Sequence, residues 1–136
     1  MVQVSGDHFV ITVLTAPRRP AAMVCLAGEI DMDADPALSG VADRLSAVAP
    51  SEVVVDLADV TFASSTLLNF LARVHVALAA DTALVVCRPR RHTRRLLEMT
   101  SVGNLVTVRG DLPPSGYWMP HGTARPEDPP ALGGID

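Results

Sequence analysis

Three hydroxyl side chains stand in a row at Ser64-Ser65-Thr66, just after an apolar stretch and just before a helix-like one. Such a row supports two kinds of chemistry. Ser and Thr oxygens accept hydrogen bonds from the free N–H groups that open a helix, so the row can be a set of caps. A hydroxyl on an exposed turn is also a phosphoacceptor, and a helix N-terminus favours an added anion. A phosphoryl group there would bring roughly −1.5 to −2 charges, enough to break a docked interface by desolvation and repulsion. The residues alone leave both readings open.

A second cluster alternates acids: Glu29, Asp31, Asp33 and Asp35. Alternating acids suggest a Ca²⁺ loop. This stretch lacks the Gly at the sixth position and the Glu at the twelfth that an EF-hand loop needs. Solvated loop acids with one helix cap are the better reading. Five of the eleven arginines gather at Arg88, Arg90, Arg91, Arg94 and Arg95. No aromatics interleave with them, so they read as a solvated helix face rather than a nucleic-acid patch. Early in a helix they also oppose its dipole slightly, which hints at an acidic neighbour or partner.

Other chemistry finds little support. His8, His75, His92 and His121 are isolated, with no HExxH pair. There is no phosphate-binding GxxxxGK[ST] loop, no GxGxxG and no GxSxG elbow. The sequence therefore predicts no catalytic residues, no metal and no cofactor. Cys25 and Cys87 lie in apolar, strand-like runs without a CxxC pair, and read as buried reduced thiols in a cytoplasmic setting. All basic residues are Arg and none is Lys, which reads as the codon usage of a GC-rich genome.

These residues need a scaffold. With 136 residues, 49% of them apolar, and a net charge of −4, the chain suits one globular domain. The mild acidity argues against broad, charge-driven binding of nucleic acid. No apolar run reaches the roughly 18 residues of a membrane helix, and no signal peptide is visible at the N-terminus.

Phe9 to Leu14 alternates at period two and predicts a half-buried strand. Pro17-Arg18-Arg19-Pro20 reads as a turn, and Ala22 to Ala27 as a second strand. Asp35 reads as a cap, with Pro36 at the first helical position and Leu38, Val41, Leu45 and Val48 on one face. Pro50 stops that helix. Val53 to Leu57 does not alternate, which predicts a short strand buried on both sides. A second helix from Thr66 or Leu67 carries Leu67, Leu68, Phe70, Leu71, Val74 and Leu78. Ala83 to Cys87 is a strand. A third helix, about Arg91 to Met99, turns Leu96, Leu97 and Met99 inward and ends by Gly103. Leu105 to Val108 is a last short strand. Strands alternating with helices predict an α/β domain with a mixed sheet of about four to five strands over residues 1–110. Residues 111–136 hold six of the eleven prolines and four of the nine glycines, and predict a flexible tail in which Tyr117 and Trp118 are candidates for docking.

GEIDMDADPAL, VVVDLADVTFASSTLLNFL and LLEMTSVGNLVTV, in that order and spacing, resemble the three signature stretches of the STAS domain family. The nearest type is the anti-sigma-factor antagonists of bacterial partner switching. The resemblance covers about Val2 to Arg109. Family members read Asp-Ser-Ser/Thr-Gly-Leu after a Val-Thr-Phe-hydrophobic stretch. Placing Val60-Thr61-Phe62-Ala63 on that stretch implies Thr66 as phosphoacceptor, with Ser65 as the alternative. Ser64 then stands for the usual Asp and Leu67 for the usual Gly, while Leu68 matches. The family also puts the acidic loop beside this turn.

The resemblance thus implies a binding protein rather than an enzyme. Its expected partner is an anti-sigma factor with serine/threonine kinase activity. Contacts are expected from Glu29, Asp31, Asp33, Ser64, Ser65, Thr66, Leu67 and Leu68, with Leu67 adding apolar surface at the turn. No cofactor, nucleic acid or membrane is implied. The expected assembly is a monomer or weak homodimer, which docks unphosphorylated and leaves when phosphorylated. The alternative is a constitutive scaffold module in which the hydroxyls are only caps.

Overall fold

The computed structural model describes residues 2–15 and 20–112. Most of the Pro17–Pro20 turn, and the tail with Tyr117 and Trp118, lie outside the described residues. Six strands, β1 (Val2–Ser5), β2 (Phe9–Thr15), β3 (Ala21–Ile30), β4 (Glu52–Ala63), β5 (Ala83–Cys87) and β6 (Thr107–Arg109), form one mixed sheet in chain order. β1, β2 and β3 are antiparallel neighbours; β3, β4, β5 and β6 run parallel. Three helices connect the parallel strands: α1 (Asp35–Val48), α2 (Ser65–Ala77) and α3 (Arg91–Glu98). The α/β class with a mixed sheet is as the sequence predicts. β1 is an additional strand, largely exposed and only four residues long.

Strand order equal to chain order has a consequence. Parallel crossovers are right-handed almost without exception, so crossovers that always step the same way set their helices on the same face. The core matches this geometry. Val24, Val55 and Val86 pack with Leu38, Val41 and Leu45 of α1, Leu67, Phe70, Leu71 and Val74 of α2, and Leu97 of α3. Leu71 is wholly buried, and its truncation to Ala would cost about 2–5 kcal/mol. The opposite face carries a separate cluster of Ala21, Met23, Val54, Val85 and Cys87.

β4 is much longer than the apolar run at its start. β5 pairs only with its first part, Glu52 to Asp56, whereas β3 pairs with it as far as Ala63. Two register shifts each give β4 one residue more than β3. Its inward side chains beyond the run are Leu57, Val60 and Ala63, spaced by three rather than two. Extra residues of this kind bend a strand and re-aim its side chains. The β3–β4 pair therefore runs on past β5, with β2 still beside β3 as far as Gly28, and only its last residues, Glu29–Ile30 and Phe62–Ala63, form a two-stranded tip. Gly28 makes one crossing there possible: its φ is +87°, its Cβ would collide with the His8 carbonyl, and the Glu29 N–H donates to that carbonyl at 2.8 Å.

Some local expectations change. Asp35 is not the cap of α1; that position is Ala34, with no side-chain cap bond. Asp31 caps instead, its Oδ1 accepting from the Asp33 N–H at 3.1 Å to open a short 3-10 turn over Met32–Ala34. Asp35 lies in the first turn of α1, where a negative charge is favoured. Val48 is 55% exposed, because α1 closes there through Ala49 in the left-handed region. Met99 is 75% exposed, because α3 stops at Glu98 and Thr93 takes the inward place one turn before Leu97.

Candidate functional site: the hydroxyl turn and the acidic loop

The two segments singled out by chemistry follow the far ends of β3 and β4. Ile30 and Ala63 are cross-strand partners and the last residues of those strands. The chain leaves one into the acidic loop and the other into the hydroxyl turn. The join is direct: the Ser64 N–H donates to the Ile30 carbonyl at 3.1 Å, and the Ser64 hydroxyl donates to the same oxygen at 3.4 Å. The Ser64 Oγ also accepts from the Thr66 N–H at 3.3 Å, so Ser64 is the N-cap of α2. One side chain closes the strand, opens the helix and ties the two segments together.

An open depression of about 810 Å³ lies between them. Asp31, Met32, Asp33 and Asp35 line one side; Ser64, Ser65, Thr66 and Asn69 line the other. A smaller groove of about 270 Å³ continues between α1 and α2, sharing Asp35 and Asn69 and reaching Arg73. Arg73 is held there by a hydrogen bond to the Ser39 hydroxyl. Among the described residues, the lining of the larger depression holds three carboxylates and no cation. Among the described residues no group of three or more His, Cys, Asp or Glu is arranged to hold a metal ion.

The expected site residues divide. Asp31, Asp33, Ser64, Ser65 and Thr66 meet around the depression. Ser65 is exposed, whereas Thr66 keeps only 7% of its surface, and that side chain opens onto the depression. Leu67 corrects the expectation of added apolar surface at the turn: it is wholly buried, and its side chain belongs to the core. α2 begins at Ser65 rather than later, and this points its third residue inward. Leu68 is half-buried against the core, and Glu29 is exposed on β3 opposite Phe62; neither lines the depression. The sequence reading passes over Met32 and Asn69. Met32 is 77% exposed, an apolar side chain among acids, and that contrast is its signal. Asn69 is one turn of α2 beyond Ser65, and helical spacing would have found it.

The arginine cluster is largely occupied within the domain. Arg88 pairs with Asp56 through two bonds, Nη2 to Oδ2 at 2.8 Å and Nε to Oδ1 at 3.3 Å. The Arg90 Nε donates to the Ala58 carbonyl at 2.8 Å, and Arg94 lies 3.7 Å from Glu98. Asp56 and Glu98 are the acidic neighbours that the clustering called for. Cys25, Asp56 and Cys87 occupy one cross-strand row, with Asp56 between the thiols. Two strand spacings put the cysteines about 10 Å apart, beyond disulfide reach, and both are free. Burial, then the Asp56 charge, pushes the Cys25 thiol from 9.0 up to about 11; the same two causes raise Cys87.

A helix-backed mixed sheet with a hydroxyl turn beside an acidic loop defines the STAS class of fold. Residues 14–107 match the family described as Mlab, STAS domain, and the chain belongs to that family. It is similar to the crystal structure of an anti-sigma factor antagonist from Mycobacterium paratuberculosis. Identity is 28% with a TM-score of 0.70, over 79% of this chain and 91% of that one. It also resembles the anti-sigma factor antagonist SpoIIAA in its unphosphorylated form. That match has 16% identity and a TM-score of 0.60 over 72% and 86% of the two chains, a likeness of fold. No curated protein matches the chain significantly. Among the described residues, no helix is long and apolar enough to cross a membrane.

Proposed function

We propose that this protein is an anti-sigma factor antagonist that binds an anti-sigma factor kinase in a phosphorylation-controlled partner switch, and so regulates transcription. The observation that carries the reading is the Ser64–Ile30 junction, which brings the hydroxyl turn and the acidic loop onto one depression. The similarity to the mycobacterial antagonist supports the general role. The unphosphorylated protein docks through this depression, with Met32 as its apolar anchor and Asp31 and Asp33 meeting basic groups of the partner. Thr66 accepts the phosphoryl group by its place in the family pattern, with Ser65 as the exposed alternative one residue earlier. The added charge joins three carboxylates with no cation in the lining, and this repulsion releases the partner. The protein works in the bacterial cytoplasm by binding and not by catalysis, as a monomer or weak homodimer.

Incubation with the cognate kinase and ATP, followed by mapping of phosphate by mass spectrometry, tests the switch. Phosphate on Thr66 or Ser65 is the expected result; phosphate only elsewhere would sink it. A second reading, constitutive scaffolding, draws on the capping role of Ser64 and the 7% exposure of Thr66. Thr66→Ala and Thr66→Glu separate the two. A switch predicts retained binding for the first and lost binding for the second, whereas a scaffold binds alike in both.

A further inference from the structure

α3 carries more positive charge than its surroundings balance. Its eight residues hold Arg91, Arg94 and Arg95 against Glu98, a net charge of +2 in a chain whose net charge is −4. Its inner side is anchored: Thr93 and Leu97 are buried, and Leu97 belongs to the core. All three arginines are exposed. Arg94 lies 3.7 Å from Glu98. Among the described residues, Arg91 and Arg95 have neither an ion pair nor a side-chain hydrogen bond. They stand four apart and share one helix face, where like charges repel. No acid occupies the first turn, so the positive end of the helix dipole meets Arg91 uncompensated. The domain bears an electrostatic cost at this face that an acidic surface from outside would relieve.

The chain itself carries such a surface. Asp31, Asp33 and Asp35 line the depression between the acidic loop and the hydroxyl turn, and among the described residues its lining holds no cation. None of those lining residues lies on α3, so one molecule presents the two charges as separate patches. Both patches belong to the helix side of the sheet. Asp35 opens α1, Asn69 lies on α2, and α3 packs Leu97 into the same core as those two helices. The chemistry matches as well as the sign. A guanidinium can bind a carboxylate through two parallel hydrogen bonds, which an ammonium cannot. Met32, 77% exposed within the depression, offers an apolar wall to the arginine stems.

We propose that α3 docks in the acidic depression of a second copy of this chain, Arg91 and Arg95 meeting Asp31, Asp33 and Asp35. Each copy lends its helix to the other, so the contact is reciprocal and closes at two. The dimer needs neither kinase nor phosphate, and it stands or falls separately from the partner switch. The kinase of that switch would dock in the same depression, so dimer and kinase exclude each other.

Light scattering of the full-length protein reads the contact. At about 0.1 mM protein, the wild type should show a dimer mass in about 0.01 M salt, where the screening length is roughly 30 Å. In about 1 M salt, where that length is roughly 3 Å, it should show a monomer mass. Arg91→Glu combined with Arg95→Glu should be monomeric at low salt. Its melting temperature should stay close to that of the wild type, because a Glu suits the first turn of a helix as much as it disfavours the last. Asp33→Arg combined with Asp35→Arg leaves the Asp31 cap in place and should be monomeric too. An equimolar mixture of the two variants should recover the dimer, since each reversed patch then meets its opposite. A wild type that is monomeric at low salt, or a mixture that stays monomeric, would overturn the proposal. So would a dimer that survives both reversals, or a mass that climbs past two copies.

Discussion

The Ser64 N–H donates to the Ile30 carbonyl at 3.1 Å, joining two loops that are 34 residues apart in the chain. Because the Ser64 hydroxyl also caps α2, this residue is a structural hinge of the site as well as part of its lining. Ser64→Ala should lower stability by about 1 kcal/mol, the usual cost of a lost N-cap. Ser64→Asp restores the acid usual in the family and keeps an acceptor for the Thr66 N–H but loses the hydroxyl donation to the Ile30 carbonyl, so its stability should fall between those of wild type and Ser64→Ala. Urea midpoints of the three proteins check this, and equal losses in both variants would argue against the cap.

Gly28 is the point where β3 passes His8. At φ +87°, with the His8 carbonyl in the place of a Cβ, Gly28→Ala meets both strain and collision. The loss should be on the order of 2 kcal/mol or more, since the left-handed region alone costs an L-residue about 1–2 kcal/mol. Thermal unfolding of the variant measures it.

Ala49 ends α1 in the left-handed region with φ 53°, a position that glycine fills without a steric penalty. Ala49→Gly should gain about 0.5–1 kcal/mol, the relief of strain being partly offset by greater freedom of the unfolded chain. A fall in melting temperature would show that the strain is not relieved.

Cys25 sets a pH dependence. Its thiol titrates at about 11 in the folded protein, against 9.0 ordinarily. The folded state holds this proton more tightly than the unfolded one. The stability tied to it is complete below pH 9.0 and is lost as the pH rises from 9.0 toward about 11. Cys25→Ser should flatten that fall in a series of urea melts. Alkylation of native Cys25 should still be accelerating at a pH where the unfolded chain has levelled off.

Much of this was legible from residue types alone. The strand Ala83–Cys87 and the third helix, within one residue, follow from their apolar runs and flanking prolines and arginines. β1 is illegible because it is an edge strand with most of its surface in water. The outer half of β4 is illegible for another reason. Its extra residues space Leu57, Val60 and Ala63 by three, which is the period of neither a strand nor a helix. The hydroxyl row and the acids announce themselves by composition. Their meeting does not, since the Ile30–Ala63 pairing is a tertiary fact that the family resemblance anticipates and local pattern cannot. The burial of Leu67 agrees with the apolar stripe of the second helix, whereas the burial of Thr66 depends on the residue at which α2 begins, and a boundary set by one hydrogen bond escapes pattern reading.

The overhang of β3 and β4 beyond β5 works as a cantilever. The mass of the domain is anchored in the six-stranded part, while the tip that carries the depression rests on the last residues of β3 and β4, past the end of β2, and on the two turns that follow them. Substitutions at Asp31, Met32, Asp33 or Asn69 alter the tip without unsettling the anchor. The residues that line the depression can therefore change their chemistry while the body of the fold stays the same.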